Sequence, residues 1–192
     1  MTNILIILGH PDATDRHYCH AIAEAYELGA AQAGHEIRVL DIAQSEVTFL
    51  RSKKEWESDV LPDYVRDAQA AIKAADHLVM IYPLWMGDMP ALLKAWIEQV
   101  FRKGFAFEMD GHSWRAALKG KSARVIVTMG MPGIFYRWFF LAHSLRSLDR
   151  NILKFSGIRP VRWSIVGNIE DPTGKRQKQF LEKAALLGGK GN

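Results

Sequence analysis

Tyr82-Pro83-Leu84-Trp85-Met86-Gly87-Asp88-Met89-Pro90 places an aromatic and apolar lip, with a glycine-containing turn, directly after an apolar run. Such a lip suits a planar heteroaromatic ring, which needs a stacking surface and backbone amides facing its edge. The competing assignment is a hydrophobic loop in which Trp85 caps the core. Two other segments also interrupt apolar runs, Gly9-His10-Pro11-Asp12-Ala13-Thr14-Asp15-Arg16 and Met129-Gly130-Met131-Pro132-Gly133. In open α/β sheets ligands bind beyond the carboxyl ends of strands, so these segments are candidates for one shared site.

Several other chemistries fail on spacing. Gly120-Lys121-Ser122 resembles the end of a P-loop, but Arg115 stands where that loop needs its first glycine. Gly9 to Thr14 lacks the G-x-G-x-x-G of a dinucleotide-binding turn, and Tyr82-Pro83 stands where a receiver domain needs an aspartate. No G-x-S-x-G occurs, and Cys19 falls inside an expected helix rather than at an activating terminus. His17, His20 and Glu24 share helical spacing but have no further histidine or cysteine nearby, so they read as a solvated face and no metal is expected.

The elements that position the loops follow from the apolar pattern. Asn3 to Leu8, His77 to Tyr82 and Arg124 to Thr128 are too continuously apolar for half-exposed strands and read as strands of a parallel sheet, buried on both faces. Glu36 to Leu40 alternates like an edge strand, and Val161 to Val166 supplies another. Helices are expected from about His17 to Ala33, Val65 to Ala75, Pro90 to Phe101, Tyr136 to Phe155 and Gly174 to Leu187, with Pro90 suited to a first turn. Gln44 to Asp63 reads as a long connection with partial helix, and Phe105 to Gly111 as a small hairpin insertion. Strand and helix alternate throughout, which gives a doubly wound sheet in a single domain spanning residues 1–192.

Composition agrees with an ordinary globular core: 48% hydrophobic and 24% charged residues exclude a disordered or low-complexity chain. The net charge of +4 is spread out, without a Lys/Arg block, and nucleic acid is not an expected partner. Gly130, Pro132, Gly133 and Arg137 interrupt the longest apolar stretch, Val125 to Ala142, so no membrane insertion is expected. A lone cysteine and the lack of a secretory leader point to a reducing cytoplasm.

Further motifs carry a resemblance. Gly9-His10-Pro11 ends the opening strand, and Pro83-Leu84-Trp85-Met86-Gly87 runs on to Lys94-Ala95-Trp96 and Val100-Phe101. Phe105-Ala106-Phe107, Leu118-Lys119-Gly120-Lys121 and Thr128-Met129-Gly130-Met131 follow in order. In these motifs the chain resembles the flavodoxin-like NAD(P)H:quinone oxidoreductase family, which includes quinone reductases and the ancillary flavoproteins of potassium-efflux systems. The resemblance implies a flavodoxin-like doubly wound five-stranded parallel sheet with helices on both faces, and a flavin that takes hydride from NADH or NADPH and passes two electrons to a quinone or similar electrophile. FMN is the expected flavin and FAD the alternative, because no added adenine-binding segment is evident. The alternative function is that of a flavin-binding ancillary subunit of an ion transport system.

The same resemblance assigns residues. His10, Thr14 and His17 would meet the flavin phosphate at the amino end of the first helix, where free amides favour an anion. Pro83, Leu84, Trp85, Met86 and Gly87 would line the ring, with Thr128 and Gly130 on its other side. Tyr136 and His143 stand near the family's tyrosine and active-site histidine. On a helix beginning by Tyr136, His143 lies seven residues on and shares its face, so the pair would handle a proton. Its rival is an aromatic packing face with Trp138, Phe139 and Phe140. Arg146, Arg150 and Lys154 read as a solvated stripe, with the NADPH phosphate as a minority partner. The aromatic density around Trp138 exceeds what one helix can bury, and with the resemblance it implies a homodimer.

Overall fold

The computed structural model describes residues 1–110 and 113–191. Its main sheet is five-stranded and parallel, in the order β2-β1-β3-β6-β7: β1 Asn3–Leu8, β2 Glu36–Asp41, β3 His77–Pro83, β6 Ser122–Thr128 and β7 Val161–Val166. The side-chain period of two divides the apolar runs between two cores. Leu5, Ile7, Leu78, Met80, Val125 and Val127 face one core, and Ile4, Ile6, Leu8, Val79, Ile81 and Ile126 the other. In the observed register Ile4 pairs with His77 and Ile81 with Ile126.

The second core is closed by α1 (Tyr18–Gln32) and α7 (Lys175–Gly189). These helices touch through glycines. A Cβ on Gly29 would lie 1.9 Å from the Ala185 carbonyl oxygen, and one on Gly188 would lie 2.0 Å from that of Tyr26. The first core takes α3 (Asp63–Ala74), α4 (Ala91–Val100) and α6 (His143–Ser147). Pro90 is the cap residue of α4, where a missing N–H costs nothing. The connection after β2 contains a short 3-10 turn (Ile42–Gln44) and α2 (Lys53–Trp56), the partial helix expected there.

Two elements depart from the sequence expectations. The insertion is an antiparallel hairpin, β4 (Phe107–Asp110) with β5 (Ser113–Ala116), whereas Phe105 and Ala106 precede it as buried turn residues; Gly111 lies outside the described residues. The long helix expected from Tyr136 to Phe155 is instead three pieces: α5 (Gly133–Trp138), α6 and a π-helix (Leu148–Leu153). Leu141 and Ala142 take left-handed φ values of 54° and 47°, and the Ala142 amide donates to the Tyr136 carbonyl at 3.0 Å. Left-handed stops normally use glycine, so the break carries no local composition signal. The π turn also shifts the basic stripe: Lys154 turns to the buried Asp149 at 2.9 Å, while Arg146 and Arg150 stay exposed.

Candidate functional site

Parallel pairing brings the carboxyl ends of β1, β3 and β6 side by side, so the three loops expected to share a site leave the sheet together. The Gly9 amide extends the ladder to the Ile81 carbonyl at 2.7 Å. A Cβ there would lie 2.7 Å from Leu93 Cδ2 and 3.1 Å from Tyr82 Cβ, so glycine lets the chain cross close to β3 and α4 without shifting Leu93.

After β3, Pro83 is buried and pairs with Thr128, and the half-buried Leu84 donates its amide to the Thr128 carbonyl at 2.8 Å. Trp85 and Asp88 exchange backbone hydrogen bonds at 2.8 and 2.9 Å around Met86 (φ 47°) and Gly87 (φ 82°). Positive φ at both central positions is the type I′ geometry, unstrained at Gly87 and costing roughly 1 kcal/mol at Met86. The turn lifts Met86 fully into solvent and leaves the Trp85 ring 48% exposed. Trp85 meets the buried His10 ring edge-on at 5.8 Å. It therefore stands beside the first loop instead of over the core.

In the first loop His10 stacks on His17 with centroids 3.9 Å apart, and His20 lies 5.8 Å from His10. Burial lowers the His10 pKa below its ordinary value, and the neighbouring His17 and His20 lower it further. The His20 Nδ1 accepts the His17 amide at 3.0 Å, tying that ring to the helix start. Thr14 gives its amide (2.8 Å) and hydroxyl (2.7 Å) to Asp12, and His17 Nε2 meets the same carboxylate at 2.7 Å. These bonds hold the Asp12 pKa well below the usual carboxylate range, the Thr14 hydroxyl contributing most. Thr14 and His17 thus converge on an anion, and that anion belongs to the chain itself. Asp12 is not among the residues assigned from the sequence; the Asp-x-Thr spacing of an Asx-type turn was the available signal.

At the third loop the Thr128 side chain is buried, its hydroxyl 3.4 Å from the thiol of Cys19. Burial pushes that thiol up to about 11. Gly130 is exposed, and a Cβ there would lie 3.2 Å from a Glu170 carboxylate oxygen. Gly130, Asn168, Glu170, Asp171 and Arg176 line a shallow groove, so two carboxylates and a guanidinium border the segment expected to lie beside a flavin.

Tyr136 and His143 do come together, with ring centroids 6.4 Å apart, although not as successive turns of one helix. Tyr136 is buried within the first core, and its hydroxyl is engaged by Ser144 Oγ at 2.7 Å and the Leu145 amide at 3.3 Å. His143 is exposed; its Nδ1 donates to the Phe140 carbonyl at 3.1 Å, and its Cε1 lies 3.7 Å from where a Gly87 Cβ would be. Trp138, Phe139 and Phe140 leave Tyr136 and stay exposed, with Phe139 stacked on Phe135 at 4.7 Å. Among the described residues no group of histidine, cysteine, aspartate and glutamate is arranged to hold a metal, and no helix is long and apolar enough to cross a membrane.

The strand order and the three strand-end loops at one end of the sheet define a flavodoxin-type protein. The chain belongs to the family described as having the flavodoxin-like fold, which it matches over residues 2–186. It is 27% identical over 187 residues to a Haemophilus influenzae protein named an uncharacterized NAD(P)H oxidoreductase, covering 95% of this chain and 92% of the relative. It is 35% identical over 127 residues to the glutathione-regulated potassium-efflux system ancillary protein KefF of an Enterobacter species, covering 66% of this chain and 60% of that one. Among solved structures, an NAD(P)H:quinone oxidoreductase from Methanothermobacter marburgensis superposes with a TM-score of 0.83 at 26% identity, covering 98% of this chain and 96% of that one.

Proposed function

We propose that the protein is a flavin-dependent oxidoreductase that moves two electrons from NADH or NADPH to a quinone-like acceptor. The observation that carries this reading is the meeting of the Trp85–Asp88 turn, the His10 ring and the Thr14–His17 anion donors at one sheet end. The names of the Haemophilus and Methanothermobacter relatives support the reaction class. When bound, the flavin supplies hydride acceptance and return, so that NAD(P)H, a proton and the quinone become NAD(P)+ and the hydroquinone by a ping-pong route.

The chain's own residues bind, orient and handle the proton. Thr14, His17 and the amino end of α1 hold the phosphate of the flavin, with His10 beside them. Trp85 and the Pro83–Gly87 backbone would hold the ring, together with Thr128 and Gly130. His143 keeps its Nδ1 proton on Phe140, which leaves Nε2 to carry or accept a proton on the Gly87 side. FMN is the flavin of this reading and FAD the alternative. Ile134, Phe135, Trp138, Phe139 and Leu141 are exposed, with Phe135 stacked on Phe139, and a second copy would cover them in an isologous dimer. The buried free thiol suits a reducing cytoplasm.

The test is reduction of a short-chain benzoquinone by NADH and NADPH, with protein reconstituted with FMN. Turnover that requires FMN supports the reading, and its absence contradicts it. The KefF likeness favours a second reading, an ancillary flavoprotein whose flavin is held without appreciable turnover. Stoichiometric flavin with no quinone reduction would favour that second reading.

A further inference from the structure

We propose that Tyr136 and Ser144 form a clasp that aims His143 at Gly87, and that the Tyr136 hydroxyl is a positioning group with no proton directed at the flavin site. This rests on the proposed role of the Gly87 turn and His143. The oxygens of Tyr136 hold the chain on both sides of His143: its carbonyl accepts the Ala142 amide at 3.0 Å, and its hydroxyl accepts the Leu145 amide at 3.3 Å. The hydroxyl also shares a hydrogen with Ser144 Oγ at 2.7 Å, and both side chains are buried, with exposures of 1% and 2%. A phenol has a single proton and two lone pairs, so these partners use most of its capacity.

Between Tyr136 and Ser144 lie Leu141 and Ala142, consecutive non-glycine residues at φ 54° and 47°. Left-handed residues of this kind are strained, and they persist only where surrounding bonds over-determine them. Here they turn the chain so that His143 leaves the core while Ser144 and Leu145 enter it. The outcome is an exposed imidazole whose Nδ1 is fixed on Phe140 and whose Cε1 and Nε2 lie 3.7 and 3.8 Å from the Cβ position of Gly87. Ser144, a residue without access to the loop, thereby becomes a determinant of the site.

The clasp is tested without relying on turnover. Proton NMR of the flavin-free protein, with histidines assigned, should show a through-space contact between His143 Hε1 and a Gly87 Hα. Tyr136→Phe and Ser144→Ala should each lose that contact, and Ser144→Thr should restore it by returning the hydroxyl. With FMN, NADH and benzoquinone, both variants should lower kcat of acceptor reduction about tenfold with KM little changed, as expected for a misplaced group. Tyr136→Phe should add nothing in a His143→Gln background. Retention of the NMR contact in both variants would overturn the clasp. So would a much larger loss in Tyr136→Phe than in Ser144→Ala, or a further loss on the His143→Gln background, because the hydroxyl would then act on flavin or substrate. Inactivity of the unmodified protein would contradict the oxidoreductase reading, while the NMR outcome still decides the clasp.

Discussion

His17 Nε2 stands 2.7 Å from Asp12 Oδ2, so one of the donors suited to a flavin phosphate is engaged by a carboxylate of the same loop. The Thr14 amide and hydroxyl meet that carboxylate as well. A phosphate using these donors must displace Asp12 or share them against its charge. Asp12→Asn is therefore expected to tighten FMN binding severalfold in a fluorescence titration while leaving riboflavin, which has no phosphate, unchanged. Equal weakening of both ligands would show instead that Asp12 is needed to shape the loop.

Trp85 is half exposed and touches the first loop through the His10 ring. Its truncation should cost the flavin a stacking surface of about 1 to 3 kcal/mol and leave the apoprotein nearly as stable. Calorimetric titration with FMN and thermal melts of the apoprotein check the two halves. A large drop in melting temperature with unchanged affinity would mean that Trp85 caps the core.

The sheet and its loops were legible in the sequence because buried parallel strands leave unbroken apolar runs such as Ile4 to Leu8 and Leu78 to Tyr82, each ending at glycine or proline. The 3.6-residue pattern located α1 and α4 for the same reason. What stayed hidden depends on contacts distant in sequence or on backbone that defies propensity. The break at Leu141 and Ala142 has no glycine to announce it, and Tyr136 meets His143 through a fold-back instead of helical spacing. Glu170 reaches Gly130 only because β6 and β7 pair, which no local pattern records.

His77 is buried in β3, its Nδ1 2.7 Å from Ser122 Oγ, and burial next to Arg124 and Arg162 lowers its pKa to about 4. Between pH 6.5 and 4 the unfolded chain binds a proton at this position that the folded chain refuses, so stability rises with pH across that window. This contributes roughly 3 kcal/mol of stability, fully present above the unfolded pKa and lost as pH falls. Denaturant melts of His77→Asn should show a shallower acid loss than wild type over this range. Parallel pH curves for the two proteins would contradict the assignment.

The α1–α7 contact makes a sharper packing claim. Gly188→Ala places a methyl group 2.0 Å from the Tyr26 carbonyl oxygen and should cost about 1 to 3 kcal/mol by forcing the helices apart. Gly189→Ala, whose Cβ would lie 3.4 Å from the Gly29 oxygen, should be close to neutral. Equal effects in chemical denaturation would show that helix propensity, not the close approach, governs both positions.

The strand-end loops would form a flavin site serving electron transfer from NAD(P)H. This is tested most directly by titrating the apoprotein with FMN, resolving bound from free flavin by absorbance, and then adding NADH or NADPH under anaerobic conditions. Saturation near one FMN per chain is expected, with bleaching of the bound flavin by the nicotinamide and recovery of its colour when benzoquinone is added. Protein that takes up neither FMN nor FAD, or whose bound flavin the nicotinamides leave oxidised, would contradict it.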